Sequence, residues 1–167
     1  MASRFEELQW LLIDIVTDLL APSQVFVEEV ASELYMPVNR MCLSQIVISL
    51  CRFDEVYCHY GLEFKQLPDH LLVKIRNIKK EIENRKMYSF RSTYIGHAFK
   101  KGNSQKTPLT SAEIQSGLNQ VIDNDQVAFF DWIFPLDENV RNGESVVEVL
   151  NEAAQFFMAE ISVKKRL

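Results

Sequence analysis

Near the middle of the chain, Phe90-Arg91-Ser92-Thr93-Tyr94-Ile95-Gly96-His97-Ala98 joins a permanent cation, Arg91, to His97, the only histidine in the surrounding basic segment. An imidazole titrates near neutral pH and can take a proton from a 2′-hydroxyl or return one to a leaving 5′-oxygen. A guanidinium stays charged at any working pH and can hold a phosphate while charge builds on it. Ser92 and Thr93 supply hydroxyls able to orient either group. Chemistry of this kind on RNA needs no metal. Spacing constrains it, however: six residues along an ideal α-helix leave two side chains about 120° apart in azimuth and about 9 Å apart in rise. Convergence therefore requires a break between Arg91 and His97, for which Gly96 is the candidate, or a second subunit supplying the partner group. The same residue types also fit an arginine in a surface ion pair and a satisfied core histidine, so these two positions alone leave both readings open.

Charge adds a second signal. The chain of 167 residues has a formal charge of −5, yet Lys74–Lys106 holds ten basic residues against Glu81 and Glu83, a local +8 that leaves −13 on the rest. Such a stretch is a candidate footprint for phosphate or nucleic acid, and equally a solvated face paired to acidic neighbours. Within it, Arg85, Lys86, Lys100 and Lys101 are the candidate phosphate-positioning residues. They would add salt-dependent affinity and little sequence choice.

Other chemistries lack their signatures. There is no glycine-rich phosphate loop, His-Glu-x-x-His, Cys-x-x-Cys or Gly-x-Ser-x-Gly. Cys51, Cys58 and His59 do not complete a four-ligand zinc set. Cys42, Cys51 and Cys58 read instead as small core residues, His59 and His70 as surface residues, and no metal or cofactor is expected. The N-terminus carries Glu6 and Glu7 where a secretory signal would be basic and then apolar, and the odd cysteine count suits a reducing compartment. No apolar run approaches the roughly 20 residues that span a bilayer. These features point to a cytoplasmic protein with no membrane association. A 47% apolar content with five Gly and five Pro excludes collagenous, disulfide-scaffold and disordered chains.

The elements that would position the motif have the helical period. Leu8, Leu11, Leu12, Ile15 and Leu19 form one apolar stripe, ended by Pro22 and Ser23. A weaker segment over Val25 to Met36 reads as a helix stopped by Pro37. Asn39 is a plausible N-cap for a helix with Leu43, Ile46, Val47, Leu50 and Tyr57 on one side and Gly61 as its C-terminal cap. Pro68 and Asp69 open a helix with Leu71, Ile75, Ile78 and Ile82 inward. Thr110 and Glu113 have capping-box spacing ahead of Ile114, Leu118, Val121 and Ile122. The last helix runs near Glu144 to Val163, and Asp123 to Asn142 before it is ambiguous, with room for a further helical turn. The expected fold is all-α, a single domain over residues 1–167 built as a bundle of five to seven helices.

Three segments carry a family resemblance over roughly Asn39 to Ile122. Phe90 to Lys101, FRSTYIGHAFKK, resembles the Arg-x(4–6)-His signature of the HEPN superfamily of small all-α domains. Ser49-Leu50-Cys51-Arg52-Phe53-Asp54 resembles the "LARLFD"-like segment of its abortive-infection branch. Pro108-Leu109-Thr110 with Glu113 is similar to that branch's "PLT…E" helix start. The resemblance implies that Arg91 and His97 are the ribonuclease pair, with Ser92 supporting. It further implies a metal-independent endoribonuclease of toxin–antitoxin, abortive-infection or other defence systems, acting as a homodimer on RNA, with an antitoxin or other protein as a possible partner. The residue after the arginine is often Asn, Asp or His in the family; Ser92 can hydrogen-bond but cannot handle a proton as those groups can. Two alternatives stand beside this one. The first is an inactive HEPN-like module that binds RNA, nucleotide or protein. The second is an unrelated helical interaction protein in which Arg91 and His97 are structural.

Overall fold

The computed structural model describes residues 3–25, 31–95 and 107–164. It is an all-α, single-domain fold, with no strand among the described residues. Among the described residues six helices have eight residues or more: α1 (Arg4–Val25), α2 (Ser32–His59), α4 (Asp69–Asn84), α6 (Ser111–Val121), α7 (Gln126–Ile133) and α8 (Val146–Lys164). Two single turns, α3 (Gly61–Phe64) and α5 (Met87–Phe90), join them; α5 runs directly into a π-helical turn, Arg91–Ile95.

Helix α1 lies between α8 and α2 and makes the most extensive packing in the fold. Its predicted stripe is buried at Leu8, Leu12, Ile15 and Leu19, with Leu11 half-buried. The facing stripes of α2, α4 and α8 are buried too, at Leu43, Ile46, Val47, Leu50, Leu71, Ile75, Ile78, Ile82, Val146, Leu150, Ala153 and Phe157. Aromatic rings stitch these helices together. Phe157 meets Phe5 at 5.5 Å between centroids and Phe64 edge-on at 6.0 Å, and Phe64 in turn meets Phe53 edge-on at 6.3 Å. Such tilted and edge-on pairs add to the burial of large apolar area.

Several boundaries differ from expectation. Pro22 does not end α1, which continues to Val25: the proline ring is buried, and Ser23 donates its hydroxyl to the Leu19 carbonyl at 3.0 Å. Pro37 does not separate two helices, because it lies in the second turn of α2. The backbone bond it forgoes there would have run to a first-turn carbonyl, so an exposed proline interrupts little of the ladder. Asn39 is accordingly mid-helix rather than an N-cap, and its amide exchanges two 3.2 Å hydrogen bonds with Gln126 of α7. Gly61 is not a C-terminal cap; Tyr60 holds that place and Gly61 opens α3. Helix α7 occupies the ambiguous stretch, started by Asp125, whose carboxylate accepts from the Ala128 N–H at 2.9 Å. Cys42 and Cys51 are buried, whereas Cys58 is exposed on the outer face of α2.

Residues Glu33–His59 are long and apolar enough to cross a membrane by length and composition, with a mean hydropathy of 1.2 in the most apolar window. In the fold the C-terminal half of this helix supplies Leu43, Ile46, Val47, Leu50 and Phe53 to the core.

Candidate functional site

The motif segment is a short rod between α2 and α6. The chain turns sharply before it at Lys86, whose φ of 53° lies in the left-handed region, after Arg85 closes α4. Phe90 and Tyr94 then stack at 5.2 Å on the side facing α6. Gly117 makes this approach possible: a Cβ there would sit 2.6 Å from Tyr94 Cε2 and 3.1 Å from Phe90 Cδ2. Helix α6 starts as expected, with Thr110 Oγ1 accepting from the Glu113 N–H at 3.3 Å and Glu113 Oε2 accepting from the Thr110 N–H at 3.0 Å.

Arg91 stands where the rod leaves α-helical winding, on the side facing α2. The winding changes from α to π over Arg91–Ile95. π-helical turns of this kind recur at functional sites. The Arg91 guanidinium donates from Nη1 to Glu55 Oε1 at 2.9 Å and lies 5.0 Å from the centroid of the Tyr88 ring. The hydrogen bond it donates to Glu55 pushes its pKa upward, so it is a cation at any working pH. With 36% of its side chain exposed, it can still reach a ligand.

A second layer fixes Tyr88. Its single hydroxyl proton faces Asp54 Oδ2 at 2.9 Å and the Cys51 carbonyl at 3.0 Å. Burial, and then the neighbouring carboxylate, push the phenol pKa up, so it stays a donor. Asp54 itself is buried, and a buried carboxylate needs a cation. Lys79 supplies one, its Nζ 2.9 Å from Asp54 Oδ1 and 2.6 Å from Glu83 Oε1. Cys51 has its thiol pushed up to about 11, chiefly by burial, which leaves it an inert packing group and not a nucleophile.

Of the residues named from sequence, Arg91 pairs with Glu55, the residue just after the Ser49–Asp54 segment of α2, and it is Tyr88, three residues before Arg91, that bonds into that segment at Cys51 and Asp54. Ser92 is exposed, its hydroxyl donating to the Ser89 carbonyl at 3.2 Å. Arg85 faces elsewhere: it donates to Glu81 at 3.2 Å and to the Val121 carbonyl at 2.8 Å, and its guanidinium lies over the rings of Trp132 and Phe129. Its donors tie α4 to α6 and α7. Lys86 is exposed. His97, Lys100, Lys101 and the expected break at Gly96 lie outside the described residues. His59 and His70 are exposed, as expected. Among the described residues no group of three or more His, Cys, Asp and Glu side chains could hold a metal ion.

Glu55, Tyr88, Asp54 and Lys79 were not singled out by sequence. Asp54 closes the quoted α2 segment and Glu55 follows it, but nothing local marks either as a partner of a residue some 35 positions away.

No family model matches the chain, and no curated protein matches it. Among solved structures, the chain is similar to an integron cassette protein, Vpc_cass2, from the mobile metagenome of V. paracholerae. The TM-score is 0.75 at 22% identity, over 95% of this chain and 98% of that one. At that identity the likeness shows the fold: a small all-α architecture shared along nearly the whole of both chains.

Proposed function

We propose that the protein is a HEPN-like endoribonuclease that cleaves RNA without a metal, acting as a homodimer in a defence or toxin–antitoxin setting. In this reading Arg91 holds the phosphate and the charge that develops on it, and His97 transfers the proton. Ser92 is a supporting polar group. The observation that carries the reading is the placement of Arg91: a half-exposed guanidinium at a π-helical turn, aimed by Glu55 and by the Tyr88 ring. A cation held by an ion pair and a ring is preorganised for an anion, because less side-chain freedom is lost on binding.

The same ion pair favours a second reading. Glu55 already neutralises Arg91, so a phosphate must displace that carboxylate or share the guanidinium with it. An arginine whose main work is to join α2 to the rod suits an inactive HEPN-like module that binds RNA, nucleotide or a protein partner. Cleavage separates the two. Purified protein and the His97→Ala variant are incubated with total RNA in EDTA, and products are sized on a gel. The first reading expects cleavage by the parent and none by the variant. Equal cleavage by both refutes the assignment of His97, and none by either, with both folded, favours the binding module.

A further inference from the structure

The face of the rod turned toward α6, opposite Glu55, borders a crevice of about 90 Å³. Lys86, Ser89 and Thr93 line one wall and Gln120 of α6 the other, with Arg85 at the end. None of the first four side chains has a hydrogen-bond or ionic partner among the described residues. Such a crevice holds several waters, one needing about 10–15 Å³, or a single tetrahedral oxyanion. The two hydroxyls and the amide can each donate or accept, and the ammonium only donates, so the set can turn all four groups as donors toward a ligand with several acceptor oxygens.

Charge narrows the class. Arg85 is balanced by Glu81, which leaves Lys86 as the one uncompensated cation lining the crevice among the described residues. A phosphate monoester carries about −1.5 to −2 at neutral pH and would call for a second cation. A phosphodiester carries one negative charge and matches it. We infer that this crevice is a phosphodiester subsite for a single nucleic-acid strand, separate from Arg91 and on the other face of the same rod. The anion chemistry stands on the crevice alone; that the strand is nucleic acid rests on the reading above.

The test uses a single-stranded DNA oligomer, which lacks the 2′-hydroxyl and so reports binding without cleavage. Its anisotropy is titrated across a salt series with the full-length parent, Lys86→Gln and Gln120→Glu. Both variants change exposed side chains, and matched circular dichroism shows that they are folded. Lys86→Gln is expected to weaken binding roughly 3- to 10-fold and to lower the slope of log affinity against log salt by about 0.7, the value for one phosphate contact on a single strand. Gln120→Glu, which sets a negative charge in the crevice, is expected to weaken binding at least as much. Parent-like affinity and slope in both variants overturns the subsite. If inorganic phosphate, but not the oligomer, shifts the amide signals of Ser89, Thr93 and Gln120, the strand assignment fails. Loss of affinity in the variants of a parent that cleaves no RNA keeps the subsite and removes the ribonuclease.

Discussion

Replacing Lys79 by Met keeps most of its apolar stem and removes the only cation paired with the buried Asp54 carboxylate among the described residues. Breaking a fully buried ion pair from one side costs about 3–5 kcal/mol, because the remaining charge stays desolvated. Here the Asp54 side chain is 10% exposed and that of Lys79 27%, and the Tyr88 hydroxyl still donates to the carboxylate. Partial solvent access and that remaining bond lower the expected cost to about 2–3 kcal/mol. The lost pair with Glu83, four residues along the same helix, adds only about 0.3–0.5 kcal/mol. For a domain of this size the melting temperature should fall by roughly 5–10 °C. Urea unfolding at pH 7, followed by far-ultraviolet circular dichroism, reads the difference directly. Adding Asp54→Asn to Lys79→Met removes the stranded charge and should recover more than about 1 kcal/mol. The pH dependence has a definite sign. Glu83, and then Asp54, raise the Lys79 pKa, so its contribution is fully present below the unfolded lysine value of about 10.4 and is lost only as pH rises beyond it. Parent and variant should therefore differ undiminished at neutral pH and converge only at strongly alkaline pH. A Lys79→Met protein within about 0.5 kcal/mol of the parent, or a double variant no more stable than the single one, would refute the reasoning.

Two further outcomes are expected. The Arg4 guanidinium, 2.6 Å from Glu63 Oε1, holds that carboxyl below the usual glutamate range, so its contribution is present above the unfolded value of about 4.3 and is lost as pH falls through the lowered one. Between pH 5 and pH 3 the parent should lose more stability than Glu63→Gln in thermal melts, and equal losses would count against the pair. Native protein treated with a thiol reagent should react quickly at Cys58 alone, because Cys42 and Cys51 are buried; mass spectrometry finding rapid modification of Cys51 would contradict that packing.

The helices were legible where the information is local. The stripes of α1, α4 and α8 repeat at the helical period, and burying them needs only that some apolar partner be present. The Thr110–Glu113 box joins residues three apart, so it forms wherever α6 begins. The prolines were misread for a physical reason: Pro37 sits in the second turn of α2, where the bond it forgoes runs to a first-turn carbonyl, and Pro22 costs α1 a single backbone bond while its ring is buried, and residue type reports neither circumstance. Asn39 illustrates the same limit. Its side chain suits an N-cap in isolation, but a reciprocal amide pair with Gln126, 87 residues away, holds it in mid-helix.

For the site, sequence by itself determined the residue types and their order: Arg91 within its motif, the Ser49–Asp54 segment before it, the capped helix after it, and an all-α frame around them. Only the tertiary structure decided which side chains meet. Glu55 on Arg91, Asp54 on Tyr88 and Lys79 on Asp54 are contacts between helices, set by the rotation of α2, α4 and the motif rod about their axes. Arg85 and Arg91 look alike in a list of basic residues, yet one turns inward to the Val121 carbonyl and two aromatic rings while the other stays half-exposed at a π-helical turn. Six positions of helix and a left-handed turn at Lys86 separate their directions, and a one-dimensional charge count contains no such angle.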